Sequence, residues 1–182
     1  DLFQRFGIWT APKASYCKLT IKITGETTPA YYGVYEMLEH VDEKFIADRS
    51  QNWSSSTGFM WKAGWSGSSN ANFVNTSSIG IEDVRLNPSQ SLYYAYDLKT
   101  REDDFETGKS ELIDFITNLN SKTGTDFKNW ISQKMDIDLF LKTYAVSVSV
   151  GMWDDYWVNG NNFYFYFAGN GKAYFIPYDY DN

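Results

Sequence analysis

The feature that most constrains the fold is a pair of aromatic runs close to the end of the sequence. Residues 163–167 are all Phe or Tyr, and residues 173–178 are all aromatic or apolar. The five residues between them, 168–172, include two glycines. Two strand-like runs joined by a short glycine-containing loop predict a β-hairpin. The chain should therefore fold so that Asn162 and Asp179 lie side by side at the open end of that hairpin.

Oxygen-bearing side chains flank this hairpin at both ends. They are Asp154 and Asp155 before it, Asn162 at its entry, and Asp179 and Asp181 after it. A two-residue step keeps Asp179 and Asp181 on one face if the strand continues, so their carboxylates can share a cation. Carboxylate and amide oxygens are hard ligands that suit Mg²⁺ or Ca²⁺ rather than Zn²⁺. We therefore treat these residues as a candidate metal site.

The order of the elements around the hairpin matches the order in which protein kinases build their phosphoryl-transfer site: helix, Asp, Asn, hairpin, Asp. In that site one Asp orients or deprotonates the substrate hydroxyl, and the Asn and second Asp hold metal ions on the phosphates. The sequence departs from kinase motifs, because it contains no His-Arg-Asp or Asp-Phe-Gly triplet. Order alone leaves three interpretations open: a kinase-like site, a structural Ca²⁺ loop, or acidic residues that solvate their turns.

The remainder of the sequence predicts a mixed α+β domain. The expected strands are at 16–23, 31–39, 59–62 and 92–98. The expected helices are a short one capped by Asp42, others around 112–119 and at 126–134, and a longer one to about residue 150 that Asp136-Ile137-Asp138 caps. Alternation at 16–23 predicts a half-buried strand with one apolar face. The last helix is apolar on most sides, so we expect it to be buried.

Composition narrows the classes of function. The formal net charge of -7, without clusters of Lys and Arg, argues against nucleic acid as a partner. The sequence contains one cysteine and one histidine, so it lacks the paired Cys and His ligands of a zinc site, and a His-centred catalytic triad is disfavoured. No apolar run reaches the roughly 18 residues that a membrane span requires. The cysteine-poor composition, rich in Asn, Ser, Thr and Tyr, suits an extracellular protein.

Four segments carry a resemblance to a known family. Residues 32–42 follow the pattern G-x-Y-x-x-x-E-x-[VI]-D, and residues 153–156 follow W-D-x-Y. Residues 161–166 follow N-N-[FY]-Y-x-Y, and residues 171–181 follow G-K-x-x-F-I-P-[WY]-D-x-D. These segments, in this order, resemble the CotH (spore-coat protein H) family. A fainter similarity, to the element G-x-L-Y-K, lies at residues 58–62.

The resemblance implies an atypical protein-kinase-like fold and, in some members, metal-dependent transfer of phosphate from ATP to serine on a partner protein. It implies that Asp154 or Asp155 is the catalytic acid, with Asp154 preferred because it directly follows the tryptophan of the motif. It implies that Asn162, Asp179 and Asp181 bind Mg²⁺, with Mn²⁺ or Ca²⁺ as alternatives.

The same resemblance places a nucleotide-binding hinge at the end of the second strand. Glu39 and Val41 lie where a kinase hinge would meet adenine, through backbone groups. Lys62 is a candidate nucleotide contact, with a surface lysine as the alternative interpretation.

The resemblance also carries expectations about organisation and partners. Residues 1–182 are expected to be part of one CotH kinase-like domain, truncated at both ends, with 1–50 as the rest of the N-lobe and the hinge and 51–182 as a C-lobe portion. The expected partners are nucleotide, a protein substrate or secreted multi-protein complex such as a cellulosome, and the remainder of the parent polypeptide. The alternative is a non-catalytic extracellular module that binds polysaccharide or a cell-surface protein. Both interpretations, the kinase-like domain and the binding module, place the protein outside the cell or on a cell or spore surface.

Overall fold

The structure, a computed structural model, describes residues 2–66, 69–83 and 91–180. The helices are α1 Leu2–Arg5, α2 Glu43–Asp48, α3 Ser50–Trp53, α4 Phe105–Ser121, α5 Gly124–Lys134 and α6 Ile137–Ser149. The strands are β1 Ala14–Ile21, β2 Ala30–Leu38, β3 Phe59–Ala63, β4 Ile79–Gly80, β5 Tyr96–Leu98, β6 Phe163–Phe167 and β7 Ala173–Pro177. The expected α+β class, with antiparallel strands, helices and a C-terminal hairpin, is confirmed.

The aromatic hairpin is the centre of a five-stranded sheet. Strands β6 and β7 pair antiparallel, with Phe163 opposite Pro177 and Phe167 opposite Ala173. The sheet order is β4-β5-β3-β6-β7, in which only β4 and β5 run parallel. Strand β6 therefore lies between β3 and β7, and all five of its residues are buried. The sequence predicted the hairpin but not its pairing with β3.

The alternation of Phe and Tyr along β6 assigns the two faces of this sheet to different layers. Phe163, Phe165 and Phe167 join one core, which we call the helix-side core. It also contains Trp61 of β3 and residues of α4, and further members of it are Phe59, Phe73, Leu98, Leu112, Phe115, Ile116 and Phe175. Each fully buried Phe contributes about 2 kcal/mol from apolar burial. Helix α4 is therefore held against this face through Leu112, Phe115 and Ile116.

Tyr164 and Tyr166 point into the opposite core, which we call the N-terminal core. It contains Ile8, Trp53, Met60 and Ile176, together with Phe45, Ile46, Leu139, Val146 and Tyr174. Tyrosine suits this face because a buried hydroxyl can find a polar partner. The Tyr166 hydroxyl, for example, accepts a hydrogen bond from the N–H of Gly58 at 3.0 Å.

Strands β1 and β2 form a separate antiparallel hairpin, and the prediction that β1 is half-buried is wrong. Every residue of β1 is exposed or only partly buried, including Tyr16 at 80% and Ile21 at 41%. In the parts of the chain that the structure covers, no other strand pairs with either β1 or β2. The alternation indicates which side of the strand is apolar, but no described layer packs on that side.

The caps predicted for two helices are confirmed, and the burial predicted for α6 is not. Asp42 Oδ1 accepts from the N–H of Phe45 at 2.9 Å, and Asp136 Oδ1 accepts from the N–H of Leu139 at 3.1 Å. Helix α6 buries one stripe, while Leu141 and Val148 on its other side are 53% and 61% exposed. Among the described residues, no helix combines the length and the hydropathy needed to cross a bilayer.

Candidate functional site

The open end of the aromatic hairpin joins the segments that carry Asn162 and Asp179, as the sequence predicts. The N–H of Tyr178 donates to the carbonyl oxygen of Asn162 at 3.1 Å. Asn162 and Asp179 both have left-handed backbone conformations, with φ of 55° and 60°. Asn and Asp adopt this region more readily than other non-glycine residues. Such conformations cost free energy and are concentrated at functional sites.

Asp154 is bound directly by Asn162. The side-chain amide of Asn162 donates to the backbone carbonyl of Asp154 at 2.7 Å and to Asp154 Oδ2 at 3.2 Å. A second amide, Nδ2 of Asn159, donates to Asp154 Oδ1 at 2.7 Å. Hydrogen bonds to a carboxylate are stronger than those between neutral groups. Both oxygens of the half-buried Asp154 are therefore held in a fixed orientation.

Asp155 has a different environment from its neighbour. It is 1% exposed, and Oδ1 accepts from the N–H of Trp157 at 3.0 Å while its carbonyl accepts from the N–H of Asn159 at 2.9 Å. Burial raises the pKa of Asp155, and the Trp157 N–H opposes that shift. Its Oδ2 is buried and has no hydrogen-bond partner among the described residues. Asp155 thus supports the turn, and Asp154 is the more accessible of the two candidate acids.

A second loop packs against the turn that carries Asn159. Nδ2 of Asn70 donates to the carbonyl of Asn159 at 2.7 Å, and the N–H of Ala71 donates to the carbonyl of Gly160 at 3.0 Å. Gly160 has φ of 63°, and a Cβ there would lie 3.2 Å from the side chain of Asn70. A glycine therefore allows both the left-handed turn and the close approach of the two loops.

Negative charge surrounds the same end of the sheet. Burial raises the pKa of Tyr164, and the nearby Asp97, Asp179 and Glu82 raise it further. Asp97 is 3% exposed and forms an ion pair with Lys99, whose Nζ also lies 3.4 Å from Glu82 Oε2. One lysine is shared between two carboxylates here.

Lys62 lies beside this region. It is on β3, in register with Asp97 of β5 and Tyr164 of β6. Its Nζ is 5.8 Å from the centroid of the Tyr178 ring, one residue before Asp179. Its assignment as a nucleotide contact stays a prediction, and its position next to the open end of the hairpin is compatible with a phosphate contact.

The predicted hinge residues have structural contacts. Both oxygens of Glu39 accept from the guanidinium of Arg49, at 2.9 Å and 2.6 Å, and Oε2 also accepts from the N–H of Lys13 at 2.9 Å. The Arg49 hydrogen bond lowers the pKa of Glu39. Val41 is 3% exposed in the N-terminal core. The side chains of Glu39 and Val41 are therefore occupied within the fold, and the prediction of backbone contacts to a nucleotide stays untested.

Two cavities adjoin the candidate residues. The first, of about 370 Å³, lies between β2, the end of α6 and the residues after β7, and Asp179 lines it. Its walls are largely apolar and include Leu38, Val146 and Met152. The second, of about 560 Å³, we call the loop cavity. It is lined by Trp65, Ser69, Asn70, Asp154, Asn159 and Asn161.

Oxygen atoms at the open end of the hairpin match the ligands that a hard cation prefers. Because Nδ2 of Asn162 is committed to Asp154, its Oδ1 remains as a potential metal ligand. The exposed Asp179 follows Tyr178, whose N–H binds the carbonyl of Asn162. Such oxygens fit Mg²⁺, Mn²⁺ or Ca²⁺. Within the described ranges, no three His, Cys, Asp or Glu residues come together as a metal site. Asp181, the remaining predicted ligand, lies outside those ranges.

Sequence reasoning missed two residues at this site. Asn159 precedes a glycine, which is a turn signal, but the pattern does not indicate that its amide binds Asp154. Trp65 is 73% exposed at the rim of the loop cavity, and no periodic pattern surrounds it. The contact of Asn159 with Asp154 depends on the conformation of the turn between them, and the position of Trp65 at the cavity depends on loops that are distant in sequence.

Comparison with known proteins gives one family and one named relative. A family model described as CotH kinase protein matches residues 1–182. The chain is 30% identical over 184 residues to the inner spore coat protein H of Bacillus subtilis (strain 168), an alignment that covers 100% of this chain and 43% of the relative. The chain therefore spans less than half the length of that relative. No solved structure matches the chain significantly.

Proposed function

The chain belongs to the CotH kinase protein family, and from that premise we propose that it is part of a domain that transfers phosphate from ATP to a serine of a partner protein. The observation that carries the proposal is the contact of Asn162 with Asp154 at the open end of the aromatic hairpin. A phosphoryl-transfer site of the kinase type requires a carboxylate for the acceptor hydroxyl next to oxygen ligands for metal. Asp154, Asn162 and Asp179 supply these groups.

Asp154 orients and deprotonates the acceptor, which is the serine hydroxyl. Its oxygens are fixed by Asn159 and Asn162, so one carboxylate can orient the serine hydroxyl without reorganising. The serine oxygen forms a bond to the γ-phosphorus, and the bond from that phosphorus to the bridging oxygen of ADP breaks. The serine proton passes to the carboxylate of Asp154.

Asn162 and Asp179 are the candidate ligands of the metal ion that binds the phosphate donor, ATP. Asn162 Oδ1 and the Asp179 carboxylate, with Asp181 as a further candidate, would hold Mg²⁺, or Mn²⁺ or Ca²⁺ in its place. The cation supplies charge neutralisation on the β- and γ-phosphates. The apolar cavity that Asp179 lines is the candidate location for adenine, and Leu38, one residue before Glu39, lines it as well. The backbone at Glu39 and Val41 is the candidate contact to adenine, and Lys62 is the candidate contact to the phosphates.

The name of the relative bears on location. That relative is a spore coat protein by name, and on this basis we place the present protein on a cell or spore surface. A protein substrate in the same layer is the partner that this location favours.

A non-catalytic binding module is the second candidate. It is favoured by two exposed indoles, Trp65 at 73% and Trp153 at 60%. Exposed aromatic side chains with a polar edge are common in binding surfaces, including those for sugars and proteins. This candidate predicts that a polysaccharide or a surface protein binds and that ATP does not.

Calorimetric titration of ATP with Mg²⁺ into the full-length protein separates the two candidates. We expect saturable, Mg²⁺-dependent binding that Asp179→Ala weakens by at least about tenfold, because a direct ligand is lost. Asp103→Asn is the matched control, since Asp103 is exposed on a turn before α4 and touches none of the site residues. No heat of binding from the wild-type protein would contradict the phosphotransfer proposal.

A further inference from the structure

Tyr180, the residue after Asp179, is anchored by contacts outside the sheet. Strand β7 ends at Pro177, so its pairing with β6 does not extend to Tyr180. The hydroxyl of Tyr180 lies 2.5 Å from the hydroxyl of Ser147, in the last turn of α6. The ring of Phe3 in α1 packs edge-to-face against the ring of Tyr180, with 4.8 Å between the two centroids. Two helices, α1 and α6, therefore fix this side chain.

Ser147 contacts the segment of Asp154 as well as that of Asp179. Its carbonyl accepts a hydrogen bond from the N–H of Met152 at 3.0 Å, two residues before Asp154. Its hydroxyl binds Tyr180, one residue after Asp179. Ser147 is fully buried, and a buried hydroxyl requires a hydrogen-bond partner. The pair of hydroxyls therefore connects the two segments at a place other than the open end of the hairpin.

The carboxylate of Asp155 lies near the same tyrosine. Burial raises the pKa of Tyr180 to about 12, and the charge of Asp155 contributes to the same shift. The hydroxyl of Tyr180 is therefore neutral at physiological pH, and it can both donate and accept a hydrogen bond. Asp155 Oδ2 is buried without a hydrogen-bond partner among the described residues. The turn that carries Asp154 and Asp155 thus comes close to the hydroxyl of Tyr180.

Asp179 needs contacts on both sides because its backbone is left-handed, with φ of 60°. Such a conformation costs free energy in a residue other than glycine and persists where the surrounding structure holds it. On one side, the N–H of Tyr178 donates to the carbonyl of Asn162. On the other side, Tyr180 is bound by Ser147. The orientation of the Asp179 carboxylate therefore depends on both contacts.

We propose that Tyr180 is a positioning residue of the candidate metal site. Through its hydrogen bond to Ser147, it holds the carboxylate of Asp179 in the orientation that binds a divalent cation. This inference rests on the proposed function, in which Asp179 is a metal ligand, and it adds a residue that acts through that ligand.

Binding of Mn²⁺ tests the inference without nucleotide. Electron paramagnetic resonance detects the free ion, which gives the Kd of the full-length protein for Mn²⁺. Tyr180→Phe keeps the ring that packs on Phe3 and removes the hydroxyl, and Ser147→Ala removes its partner. We expect each variant to raise the Kd about three- to tenfold, as the loss of one hydrogen bond would. The double variant should lose no more than either single variant, because all three lack the same contact.

Tyr174→Phe is the matched control. The hydroxyl of Tyr174, a buried residue of β7, accepts from Nδ2 of Asn170 at 2.9 Å at the closed end of the same hairpin. This variant therefore also loses the hydrogen bond of a tyrosine hydroxyl, and its melting temperature should fall as that of Tyr180→Phe does. Its Kd for Mn²⁺ should stay within about twofold of the wild-type value.

Four outcomes would overturn the inference. They are no binding of Mn²⁺ by the wild-type protein, an unchanged Kd in Tyr180→Phe, losses that add in the double variant, or an equal loss in Tyr174→Phe. The calorimetric titration of ATP tests the phosphotransfer function separately. Binding of Mn²⁺ that depends on Tyr180, in a protein that binds no ATP, would contradict that function and leave the positioning inference standing.

Discussion

The side-chain amide of Asn162 donates to Asp154 twice, to its backbone carbonyl at 2.7 Å and to its carboxylate at 3.2 Å. Asn162, the residue directly before β6, thus links the turn that contains Asp154 to the hairpin. The N–H of Tyr178 donates to the carbonyl of the same Asn162, which brings the segment of Asp179 to it. The proposed phosphotransfer function depends on this junction.

Replacing Asn162 by glycine should remove the site without unfolding the chain. Glycine adopts the left-handed φ of 55° without strain, so the free energy of unfolding should fall only by the value of the lost hydrogen bonds to Asp154, about 1–3 kcal/mol. Asn162→Ala should cost about 1–2 kcal/mol more, since a Cβ is disfavoured in that region. Both variants should lose Mg²⁺-dependent ATP affinity by at least about tenfold, because the oxygen donor is gone.

Urea unfolding and calorimetry on the two variants provide the measurement. Loss of ATP binding in Asn162→Ala but not in Asn162→Gly would show that backbone geometry, rather than the amide, sustains the site. That pattern would contradict the role given to the Asn162 side chain.

Asp155→Asn should change how stability depends on pH. Burial raises the pKa of Asp155 in the folded chain, so its contribution to stability is present below the unfolded pKa and is lost as pH rises through the folded pKa. Asparagine keeps an oxygen for the Trp157 N–H and does not titrate. From about pH 4 to about pH 7, the free energy of unfolding of the variant should therefore rise relative to that of the wild type. Urea denaturation of both proteins over this pH range measures the two free energies of unfolding. A difference between them that is constant with pH would contradict the raised pKa of Asp155.

The aromatic hairpin could be predicted from sequence because both of its signals are local. The strand residues are contiguous, and the loop glycines lie between them. The pairing of β6 with β3 could not be predicted, because Tyr164 and Lys62 meet only through the packing of two distant segments. The contact of Asn159 with Asp154 could not be predicted for another reason, because it depends on the conformation of one turn.

The candidate acids illustrate a second limit of sequence. Asp154 and Asp155 are adjacent and identical in type, and only their burial separates the accessible carboxylate from the one that caps the turn. The cap residues Asp42 and Asp136 were predictable, since an acid before a helix has a partner three residues ahead. The exposure of β1 could not be predicted, because alternation identifies the apolar side of a strand without indicating what covers it.

Arg49→Met should destabilise the chain by about 3 kcal/mol, the typical cost of removing one partner of a mostly buried ion pair. The guanidinium is 8% exposed, binds both oxygens of Glu39, and also donates to the carbonyl of Trp9 at 3.0 Å. It therefore connects the base of the β1–β2 hairpin to the rest of the fold. Chemical denaturation measures the loss, and Lys44→Met is a control, since the Lys44–Asp48 pair is exposed. Equal losses in the two variants would contradict this role.

Gly108→Ala should be destabilising although it lies in a helix. In an exposed helix interior this substitution gains about 1 kcal/mol. Here the new Cβ would lie 2.6 Å from the ring of Phe59, so overpacking should give a net loss of about 1–3 kcal/mol. Phe59→Ala removes all the ring atoms in conflict, so Gly108→Ala should cost less in that background than in the wild type. Thermal unfolding of the three variants decides this, and a stabilised Gly108→Ala would show that the helix-side core is looser than described.

The most direct test of the central claim is the rate of phosphate transfer by Asp154→Asn. Asparagine retains the size and backbone carbonyl of Asp154 but cannot accept the serine proton. The account predicts that the full-length variant binds Mg-ATP as the wild type does and transfers phosphate at least about 100-fold more slowly, the usual contribution of a general base. Transfer at the wild-type rate would contradict it.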